Sequence, residues 1–130
     1  LARQAMHEAG EDVHVAVWPT AHERHHLASR HYAFEGRCFV LAAGQILRAR
    51  DLPLAAPDDL APDDFVLRGG SCVIGPDGEV ITEPVFDAET IVYADLDLGR
   101  IDREVMTLDV TGHYARPDVL TLEVNRSRRG

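Results

Sequence analysis

The histidines are the first residues whose types and spacing could support chemistry. Five of the seven lie between His14 and His31, and His22, His25 and His26 fall at positions i, i+3 and i+4 of a predicted helix. Imidazoles one helical turn apart can share a zinc or nickel ion if a third ligand approaches. No carboxylate or cysteine stands at matching ligand spacing. A polar first helical turn is therefore the favoured interpretation, and no metal is assigned.

Cysteine and glutamate offer the other possible chemistry. Cys38 and Cys72 each lie in an apolar stretch predicted to be a strand, where a thiol is usually inert packing. Glu35 could act as a buried general base, but Arg30 and Arg37 nearby favour an ion pair instead. All 13 basic residues are arginine, so a mechanism that needs a lysine cannot be completed by this chain. We therefore assign no catalytic residue within it.

The composition bounds the class of protein and its partners. The 130 residues are 45% hydrophobic and 27% charged, which is ordinary for one globular domain. The formal net charge of −9 argues against nucleic acid as a partner, because phosphate binding needs a basic face. No apolar run approaches the length of a membrane-spanning helix, so no membrane partner is expected. Two cysteines without a secretory signal predict a cytoplasmic protein.

The elements that must position these residues begin with an α/β pattern. Residues 1–9 have helical spacing, and Val13–Trp18 is a β-branched run that predicts a buried strand. Residues 22–35 predict a second helix that Gly36 ends. Residues 38–43 are almost all apolar and predict a second strand. Two apolar strands joined by a helix favour a parallel crossover with both sheet faces covered.

The chain changes character after Gly44. Prolines and aspartates dominate a predicted loop over residues 51–68, in which residues 51–64 are expected to have no regular structure. Residues 71–74 and 79–85 predict a hairpin around the turn Gly75-Pro76-Asp77-Gly78.

A strand, a helix and a tail are predicted to follow the hairpin. The strand covers residues 90–96, and Asp97 can cap a short helix that runs to about Met106. Residues 107–130 predict an extended tail. The chain is thus expected to divide into a partial α/β domain over residues 1–106 and this C-terminal tail.

Four stretches of the sequence resemble the nitrilase family of the carbon–nitrogen hydrolase superfamily. They are residues 31–41 (His-Tyr-Ala-Phe-Glu-Gly-Arg-Cys-Phe-Val-Leu), 69–78, 89–98 and 112–118, and the opening five residues are similar to the helix that follows the family's nucleophile. Gly-His-Tyr-Ala-Arg-Pro-Asp over 112–118 points to the nitrilase branch rather than to amidases and carbamoylases. The resemblance places these residues at structural positions of the family motifs: Glu35, Arg37, Cys38, His113, Tyr114, Arg116 and Asp118.

The resemblance implies a fold and a reaction. The fold is α/β, the C-terminal part of a four-layer α-β-β-α sandwich. In the family a cysteine thiolate attacks a nitrile carbon, and a covalent thioimidate leads to a carboxylic acid and ammonia. A lysine and two glutamates assist, and no metal or organic cofactor is required. The family's catalytic residues precede the position that matches Leu1. We therefore expect a C-terminal fragment of a nitrilase-like hydrolase that is inactive alone.

The part of a substrate pocket that this chain could supply is Trp18, Pro19 and Thr20. Loops at the carboxyl ends of strands line the crevice in α/β layers. Residues 21–26 do not match the family, which leaves the substrate preference open. We expect a nitrile as the substrate of the intact protein and a homo-oligomer, dimer or larger, because half a sandwich exposes apolar surfaces. Two alternatives stay open: a non-catalytic structural or oligomerisation module, and a His-rich metal-binding domain.

Overall fold

The computed structural model describes residues 2–53 and 59–127. Expectations for Leu1, for Pro57 and Asp58 in the loop, and for residues 128–130 of the tail lie outside these ranges. The elements, in chain order, are α1 (Ala2–Glu8), β1 (Val13–Trp18), α2 (Glu23–Gly36), β2 (Phe39–Gly44), β3 (Ile46–Arg48), a 3-10 turn (Ala49–Asp51), β4 (Phe65–Ile74), β5 (Val80–Phe86) and α3 (Gly99–Val105).

These strands form one mixed sheet in the order β1-β2-β4-β3, with β5 also paired to β4. β1 and β2 are parallel and in register from Val13 opposite Phe39 to Trp18 opposite Gly44, and α2 crosses between them. β4 is antiparallel to β2, β3 and β5. The predicted crossover and hairpin are confirmed, and so is the α/β fold class.

The core lies between α2 and the sheet. Its buried members are small and apolar: Ala33, Cys38, Val40, Ala42, Cys72 and Ile74. Both thiols are free and buried, as their apolar surroundings predicted. Trp18, Tyr32 and Val80 pack against this cluster. The helix therefore covers one face of the sheet with close-packed side chains.

The opposite face of β1 is open, contrary to the prediction of a strand buried on both faces. Val13, Val15 and Val17 are 37%, 57% and 77% exposed, increasing toward the carboxyl end of the strand. Their neighbours His14, Ala16 and Trp18 alternate with them and are less exposed. The apolar composition was the basis of the prediction, but no other described element packs on the valine side of β1.

The end of α2 differs from the prediction by one residue. Gly36 is the last helical residue, and Arg37 takes the left-handed conformation with φ 50°. Glycine is needed at 36 because a Cβ there would overlap the ring of His7. The buried Arg37 guanidinium donates to Pro76 O at 3.1 Å, Thr107 Oγ1 at 3.1 Å and Leu108 O at 3.2 Å. These bonds hold Arg37 in a backbone region that non-glycine residues seldom adopt.

The predictions for residues 90–96 and for the loop over 51–68 are also wrong. Residues 90–96 are not a strand, because Asp87 with φ 57° turns the chain after β5 and Tyr93 is 81% exposed. The predicted loop over 51–68 ends early, since β4 begins at Phe65 and pairs with the short β3. A strand of three residues such as β3 is too short for an alternating pattern to reveal.

The segment after β5 ends in α3 and a tail. Leu98 rather than Asp97 occupies the N-cap of α3, and Asp97, one residue earlier, accepts a hydrogen bond from Gly99 N through Oδ1 at 3.0 Å. The predicted extended tail instead has turns over residues 110–114 and 117–119, and it lacks regular structure from 120 to 127. Among the described residues, no helix has the length and hydrophobicity that crossing a membrane requires.

Candidate functional site

The candidate site lies at the edge of the sheet where the parallel strands β1 and β2 end. Gln45, directly after β2, donates its backbone N–H to the carbonyls of Trp18 and Pro19 at 3.2 and 3.1 Å. The two strand ends are therefore joined by hydrogen bonds beyond the sheet ladder. Since carboxyl ends of parallel strands are where ligands bind in α/β sheets, this edge is the first place to look for a pocket.

A glycine pair in β4 lets a third segment approach this edge. Gly69 and Gly70 have φ values of 82° and 86°, and Gly69 O accepts a bond from Ala21 N at 2.8 Å. A Cβ on Gly70 would overlap Ala21 O, and one on Gly44 would overlap Gly69 O. Glycine at these positions permits the backbones to approach closely and to take positive φ. In the sequence this feature is the pair Gly69-Gly70 at the start of the family-like stretch over residues 69–78.

The structure places the three predicted pocket residues at this edge, in different settings. The Trp18 indole N–H donates to Ser29 Oγ at 3.2 Å on α2, so its side chain faces the helix. Pro19 is exposed. Thr20 is buried, and its Oγ1 accepts a hydrogen bond from Arg68 N at 3.0 Å. Thr20 thus ties the loop to β4.

A polar cavity of about 360 Å³ opens beside the same edge. Trp18, Pro19 and Thr20 do not line it. Its walls come from residues that the sequence did not single out: Gly44, Ile46, Arg48, Ser71, Glu89 and Thr90. Ser71 Oγ accepts a bond from Gly44 N at 3.0 Å, so the strand ends themselves form part of the wall. These residues come together only through strand pairing, which no local spacing revealed.

The three histidines of the first turn of α2 serve the local structure. His25 Nδ1 accepts a hydrogen bond from His22 N at 3.1 Å, and the His25 ring lies 4.6 Å from that of Trp18. His26 Nε2 donates to Gly70 O at 2.7 Å. Within residues 2–53 and 59–127, no group of three or more His, Cys, Asp or Glu side chains is arranged to hold a metal ion. His26 instead joins α2 to the glycine pair of β4.

Neither cysteine has the surroundings of a nucleophile. Burial, with the nearby Glu11 carboxylate, raises the pKa of the Cys38 thiol to about 12. Burial also raises the pKa of Cys72 to about 11, with a smaller contribution from Glu83. Because the thiolate is the nucleophilic form, both thiols are unreactive near neutral pH.

Glu35 is ion-paired, although not with the residues expected. Its Oε2 accepts a hydrogen bond from Arg3 Nη1 at 2.9 Å, whereas Arg37 and Arg30 bind elsewhere. Burial opposes ionisation of Glu35, but the hydrogen bond and charge of Arg3 outweigh it and lower the pKa of the carboxyl. The partner of Glu35 thus comes from α1, which is distant in sequence, so proximity along the chain could not indicate it.

Comparison with known proteins identifies the family of this chain. The carbon–nitrogen hydrolase family matches residues 1–103. This chain belongs to the carbon–nitrogen hydrolase family. Its fold agrees with that assignment: a carbon–nitrogen hydrolase from Helicobacter pylori G27 superposes with a TM-score of 0.67 at 18% identity, over 90% of this chain and 42% of that one.

Nitrilases are among the similar members of this carbon–nitrogen hydrolase family. A bifunctional nitrilase/nitrile hydratase of Nicotiana tabacum is 43% identical over 95% of the chain, which covers 37% of that protein. An aliphatic nitrilase of Sinorhizobium fredii is 43% identical over 96% of the chain, which covers 41% of it. The chain thus spans about two fifths of the length of these relatives. The nitrilase resemblance seen in the four sequence stretches is confirmed.

The positions inferred from family motifs fall away from the candidate edge. Arg37 ties α2 to the β4–β5 turn and to the start of the tail. Arg116 and Asp118 form a two-bond ion pair on the surface at 2.8 and 2.7 Å. Tyr114 lines a cavity together with Gln4 of α1, and the His113 ring lies 5.1 Å from the Tyr114 ring. The hydrogen bonds of Arg37 thus join the end of α2 to the start of the tail.

Proposed function

We propose that this chain is the C-terminal portion of a nitrilase-like hydrolase. The intact protein takes a small nitrile and two waters to a carboxylic acid and ammonia. A cysteine thiolate adds to the nitrile carbon, the thioimidate loses ammonia on hydrolysis, and a second water releases the acid. Identity of 43% to an aliphatic nitrilase, over 96% of this chain and only 41% of that protein, carries the proposal.

We propose that the cysteine, lysine and glutamates of this reaction precede Leu1 in the intact protein. Two observations support this division. The chain contains no lysine, and its two thiols are buried with raised pKa values. The proposed mechanism uses no metal or organic cofactor. The chain alone is expected to release no ammonia from a nitrile.

The contribution of this chain to the substrate pocket is proposed to be the edge at the end of β1. The exposed Pro19 and the backbone of Trp18 and Thr20 form the wall, and the glycine pair of β4 sets its position. Support comes from the hydrogen bonds that join Trp18 and Pro19 to Gln45 and Thr20 to Arg68. We also propose that residues 1–106 form the partial α/β domain and that residues 107–130 form its C-terminal tail.

The exposed valine face of β1 supports the proposal that this chain folds together with other residues of the intact protein or with a second copy of itself. We propose a homo-oligomer, dimer or larger, in the cytoplasm, where two free buried thiols stay reduced. The same open face favours the second candidate function, a non-catalytic assembly module. In both cases apolar strand surface of this extent requires a covering element.

The test compares the full encoded protein with this chain alone, incubated with an aliphatic and an aryl nitrile. We expect the full protein to release ammonia and carboxylic acid in equal amounts. We expect the isolated chain to release neither. Cys38→Ala and Cys72→Ala are the matched controls and should retain activity within about twofold. Release of ammonia by the isolated chain contradicts the assignment. Loss of nitrile hydrolysis in a folded Cys38→Ala or Cys72→Ala variant contradicts it too. Folded, oligomeric full protein without activity toward nitriles favours the assembly module.

A further inference from the structure

His7 is a buried titratable side chain that the proposed function does not use. Its side chain is 2% exposed, and neither ring nitrogen has a hydrogen-bond partner. A carboxylate faces each nitrogen: Glu11 Oε1 lies 3.8 Å from Nδ1, and Glu35 Oε2 lies 3.5 Å from Nε2. The imidazole therefore sits between an acid that follows α1 and an acid near the end of α2.

The number of protons on His7 decides whether this arrangement is favourable. A neutral imidazole has one N–H and one lone pair, so either tautomer points a lone pair at a carboxylate. Only the imidazolium, with both nitrogens protonated, directs an N–H toward each acid. We propose that His7 is a proton-operated lock between α1 and α2, closed when the ring carries two protons.

The charged groups around His7 favour one more positive charge, on the imidazole ring. The groups that face it or its carboxylates come from the neighbouring elements: Arg3 on α1, His14 on β1, His31 and Tyr32 on α2, and Cys38 before β2. Arg3 binds Glu35 at 2.9 Å and contacts His31 Nδ1 at 2.8 Å. Tyr32 OH donates to Glu11, and His14 Nδ1 lies 3.1 Å from the other Glu11 oxygen. The two carboxylates, Glu11 and Glu35, therefore have one guanidinium among these neighbours, that of Arg3.

The packing prevents the ring from turning away when it loses a proton. Gly36 lies so close that a Cβ there would overlap the imidazole, and the Tyr32 ring is centred 4.6 Å away on the other helix. Repulsion between a neutral His7 and a carboxylate is therefore relieved by moving α1 away from α2. The lock therefore holds while the ring carries both protons and loosens when it loses one of them.

Hydrogen exchange measured by mass spectrometry tests the lock on the full encoded protein, whether or not it is an enzyme. Protection of residues 2–12, corrected for the chemical exchange rate, is expected to be about fivefold greater at pH 6.0 than at pH 8.0. His7→Gln should abolish this difference. The control His14→Gln, which removes another imidazole beside Glu11, should retain it.

Glu35→Gln provides a second test if His7→Gln does not fold. With one acid neutralised, an imidazole protonated only on Nδ1 satisfies Glu11, so the pH difference should flatten. A flat wild-type profile overturns the proposal. A profile that persists in His7→Gln or Glu35→Gln overturns it too, and loss of the profile in His14→Gln assigns the proton to His14 instead.

Discussion

At the scale of single residues, long-range charge pairs connect α1 to the rest of the fold. Arg3 reaches Glu35 across 32 positions of sequence, and their side chains are 41% and 33% exposed. Partial exposure limits such a pair to a modest contribution, because water screens both charges. The pair nevertheless lowers the pKa of Glu35 below its usual 4.5, despite the opposing effect of burial. It therefore makes stability depend on pH.

Arg3→Gln is expected to lower the free energy of unfolding by about 0.5 kcal/mol at pH 7. Folding lowers the pKa of Glu35, so the pair stabilises the protein above the unfolded value and this contribution is lost as pH falls through the folded value. The difference between wild type and Arg3→Gln should therefore vanish near pH 3. Urea unfolding at both pH values measures it.

The matched control for this prediction is Arg103→Gln, which removes an exposed ion pair with Asp97. It should lower the urea midpoint at pH 7 by less than Arg3→Gln does, because this pair is more exposed. An equal loss in both variants, or a loss in Arg3→Gln that persists at pH 3, would show that the charge pair with Glu35 is not the cause.

At the scale of elements, the approach of β4 to the ends of β1 and β2 positions the candidate site. β4 can approach the ends of β1 and β2 this closely because Gly44, Gly69 and Gly70 leave room for neighbouring backbone. His26 donates to Gly70 O at 2.7 Å from α2 and fixes the same point from the helix side. The position of the Trp18–Thr20 loop is thus set by β4 and α2 together.

Gly70→Ala is expected to destabilise the protein by about 3 kcal/mol, because it combines backbone strain at positive φ with overlap of Ala21 O. Gly10→Ala is the matched control. Gly10 also has positive φ, 73°, but a Cβ there meets no atom within 4 Å. Only the strain remains, about 1 kcal/mol. Equal losses in the two unfolding curves would mean that close approach of β4 to the loop contributes nothing.

At the scale of the whole molecule, the open face of β1 is the main departure from a self-sufficient domain. Val17 is 77% exposed and Val15 is 57% exposed, side by side on one strand. Such surface favours association, since burying each valine side chain is worth about 1.5 kcal/mol or more. The chain also spans only about two fifths of its curated relatives.

Val17→Asp is expected to weaken self-association of the isolated chain at least tenfold, because a carboxylate in an apolar contact is costly to desolvate. Light scattering over a micromolar concentration series measures this. Val119→Asp, which alters a 63% exposed valine in the tail, is the control and should leave association unchanged. If both variants associate as wild type does, the valine face of β1 is not the contact surface.

The parts of the fold that depend on local pattern can be predicted from the amino-acid sequence alone. β1, α2 and the hairpin of β4 and β5 follow from strand and helix periodicity and from turn residues, because a few neighbouring side chains are enough to favour them. The burial of Cys38 and Cys72 followed from their apolar flanks. The family followed from whole stretches of residues. These properties are encoded over short distances along the chain.

Which elements meet, and what their contacts require, depends on long-range packing that local sequence does not encode. Arg37 takes the left-handed position at the end of α2 because Gly36 must lie against His7 and because the guanidinium finds acceptors some 40 to 70 residues away. Residues 90–96 have strand-like composition, yet they form no strand, since Asp87 turns the chain away from β5. The face of β1 is open because burial depends on what packs on a strand, and composition records only what could be buried.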